Sequence, residues 1–427
     1  MTITYIGNFI DFLEFGLFTA LLPFISKDLL THYDPHIRAE LCYLAVFAGF
    51  LGRPVGAFFL GKFGDVYGSQ RLLVFSILGI SGASMILAFL PSNNYYVIEM
   101  VILCRFLQGL FTGAEYSAVV VSATQTATVR SSYQSVAIMT ASGVLGVSVA
   151  QFIAFTLSIL QVDVSCWRYA FIMVSLIGFS TFLKRALSYK KDWKQSIARS
   201  EPVSLKSYIP EIFSCIILVG LINAMFYLVN TFVNTYKMIL NSDLTTSQFL
   251  LNFIATSFFA LSILLWSFSL TVKNHQPFRM MQYSIISIFI LLIPLFYAYV
   301  EGVPLWVNIV IQMAFLAGMQ LFTVVGISTI PRLFPESIRI QACGLGFNLG
   351  ISLLGGGFPY LCLKLTEKTQ SLYAPAFAAV TLVGASYITL KALSVRYPQM
   401  LDFKCAPWEN KVADDKSLEK KLQHSYK

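Results

Sequence analysis

Residues Phe47 to Arg71 read FAGFLGRPVGAFFLGKFGDVYGSQR. The first half is an apolar helix with one cation, Arg53, set well inside it. The second half is a short polar turn, Gly61 to Arg71, carrying Lys62, Asp65 and Arg71. Another apolar helix starts at Leu72. Two apolar runs of this length around a tight, charged, glycine-punctuated turn read as a hairpin of membrane-crossing helices. They do not read as a soluble core.

The rest of the chain agrees. It is 56% hydrophobic and only 12% charged over 427 residues, with a mean hydropathy of +0.70. A soluble protein carries roughly a quarter charged residues. The composition therefore defines a polytopic membrane protein, and places the net charge of +9 on loops rather than on a nucleic-acid surface. The seven cysteines form no C-x-x-C pair and read as small core residues. The first apolar stretch contains Asp11 and Glu14 and has no basic lead, so it is not a cleavable signal.

About twelve apolar segments reach spanning length. They lie near 4–25, 40–60, 72–90, 97–122, 133–160 and 167–187, then near 209–236, 246–272, 280–299, 305–330, 341–364 and 373–394. A polar stretch, 188–208, separates the sets, and 397–427 is a charged tail. The expected fold is an all-α membrane protein with twelve transmembrane helices in two pseudo-symmetric six-helix bundles, 1–187 and 209–396. With the N-terminus inside, inner loops hold about fourteen basic residues, Arg185 among them, against six outside. Both termini are then expected to be cytoplasmic, in a cell (inner) membrane. One offset of 209 residues places Gly109 on Gly318, Arg130 on Arg339 and Gly146 on Gly355, as a duplicated bundle would.

Buried charge carries the chemistry. Asn8, Asp11 and Glu14 recur every three residues and share one face of the first span. Arg105, Gln108, Thr112 and Glu115 fall within about 80° of arc on the fourth. Gly109 and Gly113 leave that helix a thin strip for close packing or for passage. A charge facing lipid at mid-bilayer costs about 2.5–3.5 kcal/mol or more. These groups are therefore expected to face the interior and pair with one another, Glu14, Asp11 and Glu115 with Arg53 and Arg105. Salt bridges that merely fix the bundle are the plainer reading. The second half offers neutral groups instead: Asn223, Tyr227, Asn230, Asn234, Asn252, Gln312, Gln320 and Asn348. These suit hydrogen bonds to a polar substrate, or helix-to-helix adhesion. Asp28, His32, Asp34 and His36 cluster in the first outer loop, where solvation explains them better than a metal does. No phosphate-cradling glycine loop and no nucleophile-with-base arrangement is present, which argues against ATP drive and against an enzyme.

Four stretches carry a family likeness. Gly61, Asp65, Gly68 and Arg71 match the pattern G-x-x-x-D-x-x-G-R-[RK]-[RK] between helices two and three of the major facilitator superfamily, while Ser69 and Gln70 depart from it. IGNFIDFLEF (6–15), RFLQGLFTGAEY (105–116) and LFPESIRIQACGLGFNLGISLLGGGFP (333–359) resemble motifs of its metabolite:proton symporters, the carriers of proline/betaine, 2-oxoglutarate, citrate and shikimate. The resemblance implies a monomeric secondary carrier of a small molecule, with protons as the coupling ion and no cofactor. Glu14, Asp11 and Glu115 would then handle the proton. Arg53, Arg105, Gln108, Asn223, Tyr227, Asn230, Gln312 and Asn348 would face the substrate. Gly61, Asp65, Gly68, Arg71, Arg130 and Arg339 would form the inner gate, Asp65 meeting Arg130 or the start of helix eleven near Arg339–Gln341. A proton-independent facilitator, an exporter, and a transporter-like sensor are the alternatives. Substrate charge, zwitterion or organic acid, is open at this stage.

Overall fold

The computed structural model describes residues 2–30, 33, 35–92, 96–124, 129–160, 163–189, 204–233, 245–270 and 277–398. In the first half α1 is Thr2–Ala20, α2 Leu22–Leu29, α3 Pro35–Tyr67, α4 Ser69–Ala88, α5 Val97–Thr124, α6 Val129–Leu160 and α7 Trp167–Tyr189. In the second half α8 is Ile209–Tyr227, α9 Thr245–Leu270, α10 Pro277–Glu301, α11 Leu305–Thr329, α12 Arg339–Leu349, α13 Gly357–Thr369 and α14 Ala374–Arg396. Two wide π-helical turns extend this set, Leu228–Val233 after α8 and Gly350–Gly356 between α12 and α13. With α1–α2 and α12–α13 each read as one broken rod, twelve rods are present among the described residues. Ten are long and apolar enough to cross a membrane. The two others are α1, which carries Asp11 and Glu14, and α9, whose apolar run is Phe253–Trp266.

Large apolar side chains stand exposed on the outside, including Phe59, Leu187, Ile293 and Phe377. In water such a surface would aggregate; against lipid it is the required one. The face where α1 begins and α14 ends is called the terminal face below.

The hairpin differs from its sequence reading. Helix α3 does not stop at Leu60 but runs through Asp65 to Tyr67, and α4 starts at Ser69. Gly68 alone makes the turn, with φ +96°, a left-handed backbone that any Cβ would strain. The polar residues from Lys62 onward are helix surface, not loop.

Glycines set the spacing around the centre. A Cβ on Gly109 would fall on the Gly49 carbonyl, and one on Gly113 on the Arg53 backbone. Helices α3 and α5 thus pack backbone to backbone, which settles the thin strip as packing. The duplication also appears in the contacts. Gly146 of α6 lies against α1 at Phe9 and Leu13, while Gly355 lies against α8 at Asn223 and Tyr227. The fifth rod rests on the first as the eleventh rests on the seventh. Gly109 and Gly318 are not equivalent in this way, because Gly318 faces Ser287 of α10.

Pro54 sits inside α3 and has no N–H for the carbonyl of Phe50 one turn earlier. Ser352, on the π turn of the other half, donates its hydroxyl to that Phe50 carbonyl at 2.7 Å. A bond missing from one half is supplied by the other.

Candidate functional site

Among the described residues, six charged side chains lie buried in the first half: Asp11, Glu14, Arg53, Arg105, Glu115 and Arg185. They do not pair as their sequence spacing suggests. Arg105 Nη1 donates to Gln108 Oε1 at 2.8 Å, and Gln108 Nε2 donates to Ser84 Oγ at 2.9 Å. Ser84 in turn donates to Glu14 Oε1. Arginine and glutamate are therefore joined through an amide and a hydroxyl rather than directly. Ser84 is a member that sequence reading missed. Its only signal is the set of serines Ser76, Ser81 and Ser84 in an otherwise apolar span.

Aromatic rings enclose the two arginines. The Arg53 guanidinium lies 4.5 Å from the Phe15 ring centre and 5.5 Å from that of Phe50. Arg105 lies 4.1 Å from Phe18 and 5.1 Å from Phe15. Such stacking favours a desolvated cation by about 2 kcal/mol or more, which is less than full burial costs it. Neither arginine has a carboxylate within ion-pair distance among the described residues, and Arg53 Nε, Arg105 Nε and Arg105 Nη2 have no acceptor. Phe50 packs edge-on to Phe15 at 4.9 Å and to Tyr227 of α8 at 5.7 Å, so the rings bridge both halves. Gly355 and Gly356 keep the Tyr227 and Phe50 rings in place, since a Cβ on either would press on them.

Glu115 does not pair with Arg53 or Arg105. It forms an ion pair with Arg185 of α7 at 2.6 Å, and both side chains are fully buried. Arg185 is thus a buried cation, not the loop residue of the sequence count. Lys184 beside it is exposed.

The amides of the second half are mostly spent on their own helices. Asn223 Nδ2 donates to Val219 O at 2.9 Å, Asn230 Nδ2 to Phe226 O at 3.0 Å, and Gln312 Nε2 to Asn308 Oδ1 at 3.0 Å. Gln320 donates to Ser262 and joins α11 to α9. Asn348 is the exception, reaching across the halves to Gly113 O at 3.1 Å. Asn234 and the side chain of Asn252 lie outside the described residues.

At the terminal face the halves meet through Asp65. Its carboxylate accepts from Ile340 N at 3.0 Å and Gln341 N at 2.9 Å, the first free amides of α12. An acid at a helix N-terminus meets unsatisfied donors and the positive end of the dipole. Gly61 gives α12 room, its Cβ position lying 3.1 Å from Gln341 Cα. Arg339 folds back to donate to Phe334 O at 3.0 Å, and Arg71 sits in the first turn of α4. The side chain of Arg130 lies outside the described residues. On the opposite face Asp28 is no solvated loop residue. Arg168 Nη2 at 2.9 Å, Trp167 Nε1 at 2.9 Å and Ser92 Oγ at 3.0 Å all bond its carboxylate. His32, Asp34 and the side chain of His36 lie outside the described residues.

This architecture has known counterparts. The sequence pattern of the Major Facilitator Superfamily matches residues 4–398, and the chain belongs to that superfamily. Its relatives are more particular. The proline/betaine transporter of Escherichia coli strain K12 is 24% identical, over 91% of this chain and 82% of its own. A Staphylococcus haemolyticus protein assigned to proline/betaine transport is 26% identical, over 97% and 95%. Among solved structures, the xylose transporter XylE from E. coli superposes with a TM-score of 0.64 at 12% identity, covering 93% of this chain and 96% of that one. The human organic anion transporter MFSD10 does so with 0.68 at 14% identity, covering 91% and 98%. These two show a shared fold. The chain is therefore a membrane transporter and not an enzyme.

Proposed function

We propose that this chain is a proton-coupled carrier that takes up a small zwitterion bearing a carboxylate, of the proline or betaine kind, by alternating access. The observation that carries the reading is the pair of buried guanidinium groups, Arg53 and Arg105, stacked on Phe15 with donors unmet and no acid in ion-pair reach. A carboxylate supplies what those donors lack. The Phe15, Phe50 and Tyr227 rings nearby suit the opposite end of the substrate, because aromatic faces attract an ammonium group. An organic dianion would leave those rings without a role. Transport of proline and betaine by the named relatives supports the same class.

Coupling follows from the chain of bonds between Arg105 and Glu14. While Glu14 is ionised, Ser84 and Gln108 turn toward it and draw on Arg105. A proton on Glu14 removes the pull of that charge, and Arg105 turns to the substrate carboxylate. Asp11, one turn nearer the terminal face, receives the proton next. Residues 1–187 and 209–396 then rock as two bodies about the site, with 188–208 linking them and 397–427 as a tail. The protein acts as a monomer in the cell (inner) membrane, with its terminal face cytoplasmic. Asp65 on the α12 amides is the inner gate, shut here.

The test is uptake into proteoliposomes over a panel of zwitterions and carboxylates, with and without a pH gradient. Accumulation of proline or betaine only with the gradient is expected. Uptake that ignores the gradient makes the chain a facilitator, reversed coupling makes it an exporter, and binding without flux makes it a sensor.

A further inference from the structure

Four helices converge on the Arg185 guanidinium. Glu115 of α5 pairs with it at 2.6 Å. Leu73 of α4 accepts from its Nη1 at 2.7 Å. Gly7 of α1 lies so close that a Cβ there would stand 2.6 Å from Arg185 Cζ and 2.8 Å from Glu115 Oε1. Arg185 is four residues before the end of α7, about 6 Å along the helix from its terminal-face end. One turn deeper on α1 is Asp11, 2% exposed, with no donor on Oδ1. The charged groups around Asp11 are Glu115, Arg185, Glu14 and Arg53.

An ion pair used only for stability gains little from so much burial. Removing two charges from water costs several kcal/mol each. The pair also lies on the terminal-face side of Glu14, against the turn of α1 that precedes Asp11. We propose that Asp11, Glu115 and Arg185 form a second proton station between Glu14 and the terminal face, with Arg185 as its positioning residue. The proton breaks its O–H bond at Asp11 and forms one at Glu115. The Asp11 carboxylate so created is balanced by Arg53 and Arg185. Arg185 then keeps its Leu73 carbonyl and loosens from the neutral Glu115. Glu115 gives the proton to water once α1, seated on the pair through Gly7, moves aside. Arg185 holds Glu115 ready to be the second acceptor and prevents two buried carboxylates from facing each other unbalanced.

This inference rests on the proton-coupled reading, and its experiment keeps the two apart. Wild type, Arg185→Gln, Arg185→Lys and the double variant Glu115→Gln/Arg185→Gln are purified full length and reconstituted. Accumulation of labelled betaine and proline is measured with an imposed pH gradient, and exchange is measured against internal pH. Arg185→Gln should move the internal-pH midpoint up by about one unit, and Arg185→Lys by about half of that. The double variant leaves no lone buried ion, yet its accumulation should fall about tenfold or more, because the station is gone. If it accumulates as wild type does with an unmoved midpoint, the pair is only a structural bridge and the proposal is overturned. Should the Gln variants fail to insert, an unmoved midpoint in Arg185→Lys overturns it equally. Wild type that accumulates neither zwitterion in response to the gradient sinks the function reading instead.

Discussion

The two halves of this molecule bury polar groups in opposite ways. Among the described residues the first half encloses six charged side chains, of which only Glu115 and Arg185 are directly paired. Among the described residues the second half buries two charged groups, Glu211, paired with Arg396 at 2.9 Å, and Arg339, while half-buried amides such as Asn223 and Asn230 return to carbonyls of their own helices. A buried charge is not neutralised by the carbonyls of its own helix, so those in the first half depend on neighbours and change meaning when a proton or an anion arrives. An amide bonded one turn back is already complete. The contrast supports the proposal that coupling belongs to the first half, with the second half contributing rings such as Tyr227 and glycines such as Gly355 to the same centre.

The largest expected effect comes from the arginines. Arg105→Gln or Arg53→Gln should lower kcat/KM for a carboxylate-bearing zwitterion by about 100-fold, given roughly 1.5–3 kcal/mol for each charged hydrogen bond. Initial uptake rates against concentration measure this, and wild-type kinetics in both variants would end the contrast. Glu14→Gln comes next. It should abolish pH-driven accumulation and leave part of the exchange between loaded liposomes, since exchange needs no deprotonation. Full accumulation in that variant moves the coupling acid elsewhere, to Glu115 first. Asp65→Asn should reduce transport by about five- to tenfold, the helix-end charge being worth up to ~2 kcal/mol at a partly buried site. Unchanged flux at normal expression removes its gating role. The smallest effects belong to Asn223→Ala and Asn230→Ala, each within about threefold of wild type for a self-satisfied amide. A tenfold loss in either would show that the second half recognises substrate through amides after all.

Much of this was legible in the chain. Composition and the run of apolar segments carried the class and the number of rods. The pattern around Asp65 carried the contact with α12, because an acid between glycines at a helix end has few other uses. The partners of the buried charges were not legible. Arg185 stands in the basic run LKRALSYKK, and nothing local separates it from Lys184, which faces outward. Only the rotation of α7 against α4 and α5 turns one inward. Spacing placed Glu115 on the same face as Arg105, yet ten residues of helix carry it about 15 Å along, out of reach of Arg105. The second-half amides misled for a different reason. Asn and Gln on a membrane helix compete for the carbonyl one turn back, and sequence cannot say which wins.

The Phe50 carbonyl offers a way to watch the machine. It lacks an N–H partner within α3 because of Pro54, and it borrows the Ser352 hydroxyl across the divide. Its amide vibration therefore depends on whether the halves are together at that depth. Isotopic labelling of the Phe50 carbonyl alone would give one infrared band free to move. Loss of the Ser352 bond shifts that band to higher frequency, and Ser352→Ala fixes the reference for the open position. Substrate or acid added to the labelled carrier would then report, without a probe of foreign shape, how often the two halves part.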